Sequence, residues 1–436
     1  MTVAVAIPSD ASADQGLPVP KARFLDITRS RLSGKVRVSG AKNSVLRLLA
    51  ASLLTSERIV LDNYPEALLD AIVHVGMLEA LGKRCTVADG TLHIDEVSAP
   101  VSDLVWGERS IRNTLLILGA LVARTGAGSV PVPGGCDLGE RKTDLHELVL
   151  TRLGAKVWYE GNRLFAHAPN GLTGAEIVLP MRSTGATENT LIAASLAKGT
   201  TRLWNPHIRP EILDLCEFLR KMGVAITVHG QESIVIEGAG QLAGSTHRVM
   251  PDNMEAMTWL IGSVITGGEI EIHDFPAHDL EVPLIFLRES GAKLSIDGNV
   301  AIVRSSRPYP IEISTGPYPG INSDMQPLFA AMGACARGES RIVDLRFAGR
   351  YGYLNEFARM GVGSQIRDGA AHIYGTGTIK GATVRALDLR AGAALALLGL
   401  VADGTTRISD AWQIERGYDR FVAKARSLNA NLTYNE

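Results

Sequence analysis

A cysteine and two basic residues share one glycine-rich loop of this sequence. The stretch PVPGGCDLGERKTDLH, residues 131–146, contains Cys136, and Arg141 and Lys142 follow it within six residues. Nearby cations lower the pKa of a thiol, and the thiolate is the nucleophilic form of cysteine. The loop position and these cations therefore favour a reactive thiol, although position alone leaves an inert one open.

Charged residues also stand at the predicted starts of six apolar helices. Three are basic and three are acidic, and each lies 35 to 42 residues before the end of the amphipathic helix that follows. They are Lys42, Arg112, Glu188, Glu255, Asp324 and Arg390. An acidic residue there is an ordinary cap, whereas a basic one opposes the helix dipole and indicates a bound anion.

Three loop arginines extend this set of cations. Arg141 lies in the cysteine loop, Arg350 in the segment FAGRYGY and Arg416 in the segment IERGYDR. The arginine fork matches the oxygens of phosphate and carboxylate in a bidentate geometry. Taken singly, each of the three is typical of a surface arginine. They become candidates for binding an anion only in combination with the basic residues at the helix starts.

The elements that would position these residues repeat along the chain. Six segments each consist of an amphipathic helix, a helix stop and a short strand, and in five of them a turn and a second strand follow. The stops recur every 68 to 72 residues, at Gly82, Gly154, Gly223, Gly291, Gly361 and Asn429. Gly or Asn there indicates a left-handed helix end, and the fixed period indicates a repeat architecture.

An apolar helix precedes each segment and completes a unit of about 70 residues. Helices that are apolar on all sides belong in an interior. We predict an α/β protein with two domains of three units, one of residues 41–248 and one of residues 249–436 joined by residues 22–40. The cleft between two domains is a favoured ligand site. Residues 1–21 are predicted to be a disordered tail.

Composition restricts the function classes. The 436 residues carry a net charge of −2, so neither nucleic acid nor a membrane is attracted globally, and an anionic ligand must meet local cations. No apolar run approaches the ~20 residues that span a bilayer, and the N-terminus lacks the features of a signal peptide. The four cysteines have neither CxxC spacing nor a histidine cluster, which argues against a zinc site. We expect a cytoplasmic protein.

Six motifs together resemble a known family. They are SGAKNS, RTGAGSVPVPGGCDLGERKTDLH, STGATENT, SDMQPLF, LDLRAGAALAL and QIERGYDR. By these motifs the chain is similar to the UDP-N-acetylglucosamine enolpyruvyltransferases of the enolpyruvyl transferase superfamily, over nearly its whole length after residue 21. The resemblance implies a two-domain inside-out α/β barrel fold with three βαβαββ repeats per domain, which agrees with the six units counted above.

The resemblance also implies a reaction. The enolpyruvyl group of phosphoenolpyruvate moves to a sugar hydroxyl and phosphate is released, by addition and then elimination through a tetrahedral intermediate. No metal or organic cofactor is implied. By matching position, Lys42, Arg141 and Arg416 surround the phosphate of phosphoenolpyruvate, and Arg350, Arg390 and Arg416 hold its carboxylate.

The remaining site residues follow from the same resemblance. Asp324 matches the proposed base that takes the proton from the attacking hydroxyl. Cys136 matches the loop cysteine that attacks phosphoenolpyruvate, protonates it, or both, and the loop of residues 126–141 is expected to close as a lid that excludes water. The nucleotide-sugar contacts match Asn43, Arg112, Asp144, Leu145, Ser183, Thr184 and Gly185.

Departures from the family pattern fall on the acceptor side. Lys142 and Thr143 stand where the family usually has Pro and Val, Met181 and Arg182 where it has Lys and Val, and Arg346 where a small apolar residue is common. We predict UDP-N-acetylglucosamine as the acceptor and keep two alternatives. One is transfer to another nucleotide such as UMP, in nucleoside-antibiotic biosynthesis, because extra cations could fit a dianionic monophosphate. The other is a non-catalytic ligand-binding paralogue, against which the retained site residues argue.

Overall fold

Five of the predicted units contribute two helices and three or four short strands, and the sixth contributes three helices and two strands. The computed structural model describes residues 24–107, 111–132, 143–347 and 349–435. The helices of these residues are α1 Lys42–Ala51, α2 Leu69–Ala80, α3 Thr114–Thr125, α4 Asp144–Arg152, α5 Thr184–Ala194, α6 Pro210–Lys221, α7 Asn253–Thr266, α8 Glu281–Glu289, α9 Gln326–Cys335, α10 Tyr353–Arg359, α11 Leu389–Gly399, α12 Trp412–Glu415 and α13 Phe421–Ser427. Short 3₁₀ turns cover Ser52–Leu54, Ala277–Leu280 and Ser323–Met325.

The strands are short and follow the helices in a regular order. They are β1 Phe24–Thr28, β2 Ser33–Arg37, β3 Ile59–Asp62, β4 Lys83–Ala88, β5 Thr91–Glu96, β6 Ala127–Pro131, β7 Lys156–Glu160, β8 Arg163–His167, β9 Glu176–Val178, β10 Thr200–Trp204, β11 Ala225–His229, β12 Ser233–Glu237, β13 Ser245–Arg248, β14 Glu269–His273, β15 Lys293–Asp297, β16 Val300–Arg304, β17 Glu312–Ser314, β18 Arg337–Val343, β19 Gly363–Arg367, β20 Ala370–Thr376, β21 Thr383–Arg385, β22 Thr405–Ser409 and β23 Asn431–Asn435.

The apolar helices lie inside, as their composition predicts. In α3 every residue from Thr114 to Val122 is buried, and in α11 every residue from Arg390 to Gly399 is buried. A helix without a polar face must be packed on all sides. Accordingly α1, α3 and α5 contact one another, and α7, α9 and α11 form a second group of three.

The sheets surround these helices and share one strand order. In five of them a short parallel strand flanks the first strand of a unit. In four of these five the hairpin of that unit completes the sheet on the other side, and in the fifth β1 and β23, from opposite ends of the chain, take the place of the hairpin. The orders are β13-β3-β5-β4, β9-β10-β12-β11, β2-β14-β16-β15, β17-β18-β20-β19 and β21-β22-β1-β23. The sixth sheet, β6-β8-β7, has the same order without the flanking strand among the described residues. The predicted inside-out α/β fold with six repeats is confirmed.

The first described strands join sheets formed by the second half of the chain. β1 pairs antiparallel with both β22 and β23, which places Leu25 opposite Ile408 and Ile27 opposite Leu432. β2 pairs parallel with β14. These pairings bury the apolar residues of β1, since Leu25 and Ile27 are both fully buried.

Two separate hydrophobic cores result from this arrangement. One extends from Val45 to Val249, and the other combines Leu25–Val38 with residues 254–432. The chain passes between the cores twice, at adjacent segments that pair through Ala41 N–H to the Met250 carbonyl at 2.8 Å and Asp252 N–H to the Ser39 carbonyl at 2.9 Å. The start of α1 therefore lies where the two cores meet.

The predicted helix stops all have left-handed backbone. The φ angles at the six positions lie between 63° and 105°. Five are glycines, for which this conformation involves no steric strain, and the sixth is Asn429, the other residue type that tolerates it. The periodic signal in the sequence therefore corresponds to the same turn in each unit.

Candidate active site

A buried carboxylate joins two of the predicted cations across the two cores. Lys42 is the first residue of α1, and its Nζ atom lies 2.8 Å from Oδ2 of Asp70 in α2. Arg416, which follows α12, reaches Oδ1 of the same carboxylate with Nε at 3.1 Å. The side chains of all three are at most 12 % exposed. Asp70 is therefore a shared counter-ion for one cation from each core.

The charges at this junction influence one another strongly. Burial lowers the pKa of Lys42, the attraction of Asp70 opposes this effect, and repulsion from Arg416 and Arg390 adds to the lowering. Burial would raise the pKa of Asp70, but Lys42 and Arg416 outweigh it and hold that pKa below its usual value. The influence of Arg390 on Lys42 shows that a second group of charges is close by.

That second group is built around Asp324. Nη1 of Arg350 lies 2.8 Å from Oδ1 of Asp324, and Nε of Arg390 lies 3.8 Å from Oδ2. Arg350 also faces the carboxylate of Asp388, at 3.8 Å. Asp388 holds the start of α11 because its side chain accepts hydrogen bonds from the backbone N–H groups of Arg390 and Ala391.

Arg390 is a cation with unused donors. Its side chain is 0 % exposed, and Nε, Nη1 and Nη2 have no hydrogen-bond partner among the residues that the structure describes. The ring of Tyr418 lies under the guanidinium, with Cζ 5.0 Å from the ring centroid. Because a buried charge without hydrogen bonds is unfavourable, Arg390 is suited to a bound anion.

Asp324 is ionised in this arrangement. Burial raises its pKa, but the charges of Arg350 and Arg390 and the hydrogen bond from Arg350 prevail and hold the pKa well below its usual range. Its side chain is still 31 % exposed, so a ligand can reach it. We call Lys42, Asp70, Asp324, Arg350, Arg390 and Arg416 the cation cluster.

The residues predicted for the nucleotide acceptor gather at the start of α5. Ser183 caps this helix, and its hydroxyl accepts from Ala186 N–H at 3.4 Å. The hydroxyl of Thr184 lies 2.8 Å from Nδ1 of His207. Asp144 and Leu145 are the first residues of α4, and the next residue, His146, lies 3.2 Å from the amide of Asn189 in α5.

Gly185 allows α4 to approach this close. A Cβ atom at Gly185 would lie 2.8 Å from Nε2 of His146, closer than carbon and nitrogen can approach. Burial, with some repulsion from Arg112, lowers the pKa of His146 to about 3, so the ring is neutral near pH 7. We call Arg112, Asp144, Leu145, His146, Ser183, Thr184, Gly185 and His207 the acceptor corner.

Of the remaining predicted residues, the structure describes Asn43 but not the residues of the cysteine loop. Asn43 follows Lys42 in α1 and is half-buried. Cys136, Arg141 and Lys142, together with most of the predicted lid, lie outside the described residues.

None of the three acidic helix starts acts as a cap in the structure, although the sequence favoured that interpretation. Glu188 pairs with Arg47 at 2.6 Å inside the first core. Glu255 pairs with Lys424 and accepts from Ser39 N–H. Asn322 performs the capping at Asp324 N–H, which leaves the Asp324 carboxylate to the arginines.

Sequence reasoning missed Asp70, Tyr418 and the two histidines of the acceptor corner. Asp70 lies in the first turn of an amphipathic helix, where an acidic residue is an ordinary choice. His146 directly follows two predicted contacts in the segment DLH. This adjacency is the one feature of the sequence that could have indicated its position at the site.

The described residues contain neither a candidate metal site nor a candidate membrane span. Within 24–107, 111–132, 143–347 and 349–435, no group of three or more His, Cys, Asp or Glu side chains is arranged to hold a metal ion. Within the same ranges, no helix has the length and apolar character needed to cross a membrane.

Comparison with protein families gives one extensive match. The family model described as EPSP synthase (3-phosphoshikimate 1-carboxyvinyltransferase) matches residues 27–425. The UDP-N-acetylglucosamine 1-carboxyvinyltransferase of Prochlorococcus marinus is 37 % identical over 409 residues, which cover 93 % of this chain and 90 % of that protein. UDP-N-acetylglucosamine 1-carboxyvinyltransferase 2 of Carboxydothermus hydrogenoformans is 39 % identical over 418 residues, covering 94 % and 98 %.

Solved structures show the same fold. The enolpyruvyl transferase NikO from Streptomyces tendae superposes with a TM-score of 0.85 at 25 % identity, covering 95 % of this chain and 99 % of NikO. EPSP synthase from Acinetobacter baumannii superposes with a TM-score of 0.71 at 17 % identity, covering 95 % and 100 %. At that lower identity the similarity concerns the fold alone.

Proposed function

Because this chain belongs to the EPSP synthase family, we propose that it transfers the enolpyruvyl group of phosphoenolpyruvate to a hydroxyl of UDP-N-acetylglucosamine and releases phosphate. Relatives that carry this acceptor in their names cover nearly the whole chain. The reaction would supply a precursor of peptidoglycan.

The observation that carries this proposal is the unfilled hydrogen-bonding capacity of Arg390. A fully buried guanidinium whose three nitrogens make no hydrogen bond to a described residue is best satisfied by a planar anion such as a carboxylate. Phosphoenolpyruvate has a carboxylate and a phosphate, and the cation cluster offers two groups of cations. We assign the carboxylate to Arg350 and Arg390, and the phosphate to Lys42 and Arg416.

Asp324 is proposed to act as the base. The acceptor oxygen attacks C2 of the enolpyruvyl group, its proton passes to Asp324, and C3 takes up a proton to become a methyl group. The bond from C2 to the phosphate oxygen then breaks, phosphate leaves and C3 loses a proton, which restores the double bond. We assign delivery of the proton to C3 to Cys136, through its match to the family's loop cysteine.

Binding of phosphoenolpyruvate should also prepare Asp324 for this role. In the unliganded protein, Arg350 and Arg390 lower the pKa of Asp324 and make it a weak base. A substrate carboxylate on the same arginines would neutralise part of their charge and raise the pKa of Asp324 again. The base would then become effective only when the first substrate is in place.

We further propose that the two cores correspond to two domains, residues 41–248 and residues 22–40 with 249–436, and that the reaction takes place in the cleft between them. The two crossings of the chain and the junction of Lys42, Asp70 and Arg416 support this division. A cytoplasmic location is proposed because Cys85, Cys216 and Cys335 are free thiols, which a reducing compartment preserves.

The proposal is tested by incubating the purified protein with phosphoenolpyruvate and one acceptor at a time. Inorganic phosphate and the mass of the acceptor product are measured with UDP-N-acetylglucosamine, with UMP and without an acceptor. Phosphate release with UDP-N-acetylglucosamine is expected. Release with UMP alone would replace the proposed acceptor, and no release with either would favour a non-catalytic ligand-binding protein.

One variant tests the role of Asp324 in the same assay. Asp324→Asn is expected to lose turnover and to keep its affinity for phosphoenolpyruvate, since Arg350 and Arg390 remain. Asp297→Asn, on an exposed hairpin, is the matched control and should retain full activity. Full turnover by Asp324→Asn would contradict the assigned role.

UMP is a second candidate for the acceptor because of two arginines near the acceptor corner. Arg182 immediately precedes the cap of α5, and Arg346 lies on the loop that follows β18. Both replace apolar residues of the family pattern, and a terminal phosphate carries more charge than the internal phosphates of a nucleotide sugar.

A further inference from the structure

An open cavity lies beside Arg182, next to the acceptor corner. The cavity has a volume of about 480 Å³ and is lined by Arg182, Trp204, Asn205, Gln231 and Glu232. Arg182 makes no ion pair among the described residues, and its one hydrogen bond, from Nη2 to the carbonyl of Gln231, is long at 3.5 Å. The side-chain oxygen of Gln231, which also lines this cavity, is buried and has no hydrogen-bond partner among the described residues.

His207 adds an unused hydrogen-bonding group to this region. Nδ1 faces the hydroxyl of Thr184 at 2.8 Å, and the backbone N–H donates to the hydroxyl of Thr187 at 3.0 Å. Nε2 is buried and has no partner among the described residues. When Thr184 donates to Nδ1, the neutral ring carries its proton on Nε2 and can donate it to an anion.

Arg346 lies on a loop of the other core, and its charge acts on His207. Its backbone N–H donates to Asp344 at 2.9 Å, and Asp344 also accepts from Ser323, so the loop of Arg346 is tied to the segment of Asp324. The Arg346 side chain is exposed and makes no ion pair among the described residues. Burial first, and then repulsion from Arg209, Arg346 and Arg182, lowers the pKa of His207 to about 4. Arg209 is already paired with Glu211, at 2.7 Å.

We propose that Arg182 and Arg346, together with Nε2 of His207, bind a phosphate group of the acceptor nucleotide from the two sides of the cleft. The proposal rests on the proposed function for the identity of the ligand as a nucleotide. It assigns acceptor specificity to residues that the family pattern does not contain at these positions. A phosphate there would neutralise two cations that make no ion pair among the described residues and would join the two cores through the substrate.

The test measures binding by isothermal titration calorimetry, so that it does not depend on turnover. The full-length protein is titrated with UMP, with UDP-N-acetylglucosamine and with uridine, which lacks phosphate. Arg182→Ala and Arg346→Ala are each expected to weaken the binding of at least one nucleotide by about tenfold or more. Uridine should bind each variant as it binds the wild type. Arg152→Ala and Arg367→Ala, at exposed positions, are the matched controls.

The three ligands separate the outcomes. A loss confined to UMP assigns the site to a terminal phosphate, and a loss for UDP-N-acetylglucosamine assigns it to an internal one. Unchanged affinity for both nucleotides, an equal loss for uridine, or no binding of either nucleotide to the wild type would overturn the proposal. Absence of phosphate release with every acceptor, combined with the expected binding losses, would contradict the proposed function and leave this site intact.

Discussion

The cation cluster and the acceptor corner differ in the charge of their buried side chains. In the cation cluster, carboxylates stand between the cations, with Asp70 between Lys42 and Arg416 and Asp324 beside Arg350 and Arg390. In the acceptor corner, buried polar groups are neutral, because burial keeps His146 and His207 unprotonated near pH 7. The cation cluster is thus already charged for a small anion, whereas the two histidines of the acceptor corner offer neutral hydrogen-bonding groups.

The largest effect is expected from removing the buried charge of Arg390. Arg390→Met should reduce turnover by about 10³-fold if the proposed role of Arg390 in holding the carboxylate of phosphoenolpyruvate is correct, because that donor is lost. The free energy of unfolding should fall much less than the activation free energy rises, since among the described residues only the 3.8 Å contact with Asp324 and the contact with the Tyr418 ring are lost. Steady-state kinetics and urea unfolding measure the two quantities, with the exposed Arg367→Met as control. An equal loss of stability and activity would show that Arg390 is structural.

Removing the shared counter-ion should destabilise the cation cluster. Asp70→Asn leaves Lys42 and Arg416 facing each other without a carboxylate, and breaking a buried pair in this way lowers the free energy of unfolding by about 3 kcal/mol. Inorganic phosphate should then raise the melting temperature of the variant more than that of the wild type, because it replaces the missing negative charge.

Asp95 offers a matched control for this variant. It also lies between two arginines, with Nε of Arg58 at 2.7 Å and Nη2 of Arg84 at 3.9 Å, but both arginines are more than 60 % exposed. Asp95→Asn should change stability by less than about 1 kcal/mol and should gain nothing from phosphate. Similar losses for Asp70→Asn and Asp95→Asn would mean that burial does not distinguish the two sites.

The sequence predicts the fold well because the fold is repetitive and its signals are local. The helix stops and the apolar helices reflect preferences of neighbouring residues, and six copies reinforce each signal. The partners of β1 are different, since residues 24–28 pair with residues more than 370 positions away, and no local preference encodes that distance.

The candidate site is predictable where a residue opposes its local preference. Lys42 and Arg390 are unfavourable at helix starts, and both belong to the cation cluster in the structure. Asp70 conforms to its local preference, and only its contact with Arg416, 346 positions later, reveals its place. Sequence patterns therefore detect the basic residues of such a site more readily than the carboxylates that pair with them.

Acid should weaken the first core through His74, a buried histidine of α2. Burial, and then repulsion from Arg47, lowers its pKa to about 3, while the nearby Asp70 opposes this shift. Neither ring nitrogen has a partner among the described residues. Between pH 6.5 and 3 the unfolded chain binds a proton that the folded chain does not, so stability falls as the pH falls through this window and is constant above it.

His74→Leu should remove this contribution. Its free energy of unfolding should match or exceed that of the wild type at pH 7.5, and the difference should grow by up to about 1.4 kcal/mol per pH unit below pH 6.5. Urea unfolding at pH 7.5, 6.0 and 5.0 measures it, with the exposed His278→Gln as control. Stability curves that run parallel for wild type and His74→Leu would contradict the assignment.

The smallest effect should separate the two regions most cleanly. Gly185→Ala places a methyl group 2.8 Å from Nε2 of His146, so α4 and the start of α5 must move apart by a fraction of an ångström. The KM for the acceptor should rise about tenfold, which corresponds to about 1.4 kcal/mol, and the KM for phosphoenolpyruvate should not change. Gly240→Ala, where a Cβ meets nothing within 4 Å, is the control. If both KM values rose together, the acceptor corner and the cation cluster would form one coupled unit rather than two separable regions of the site.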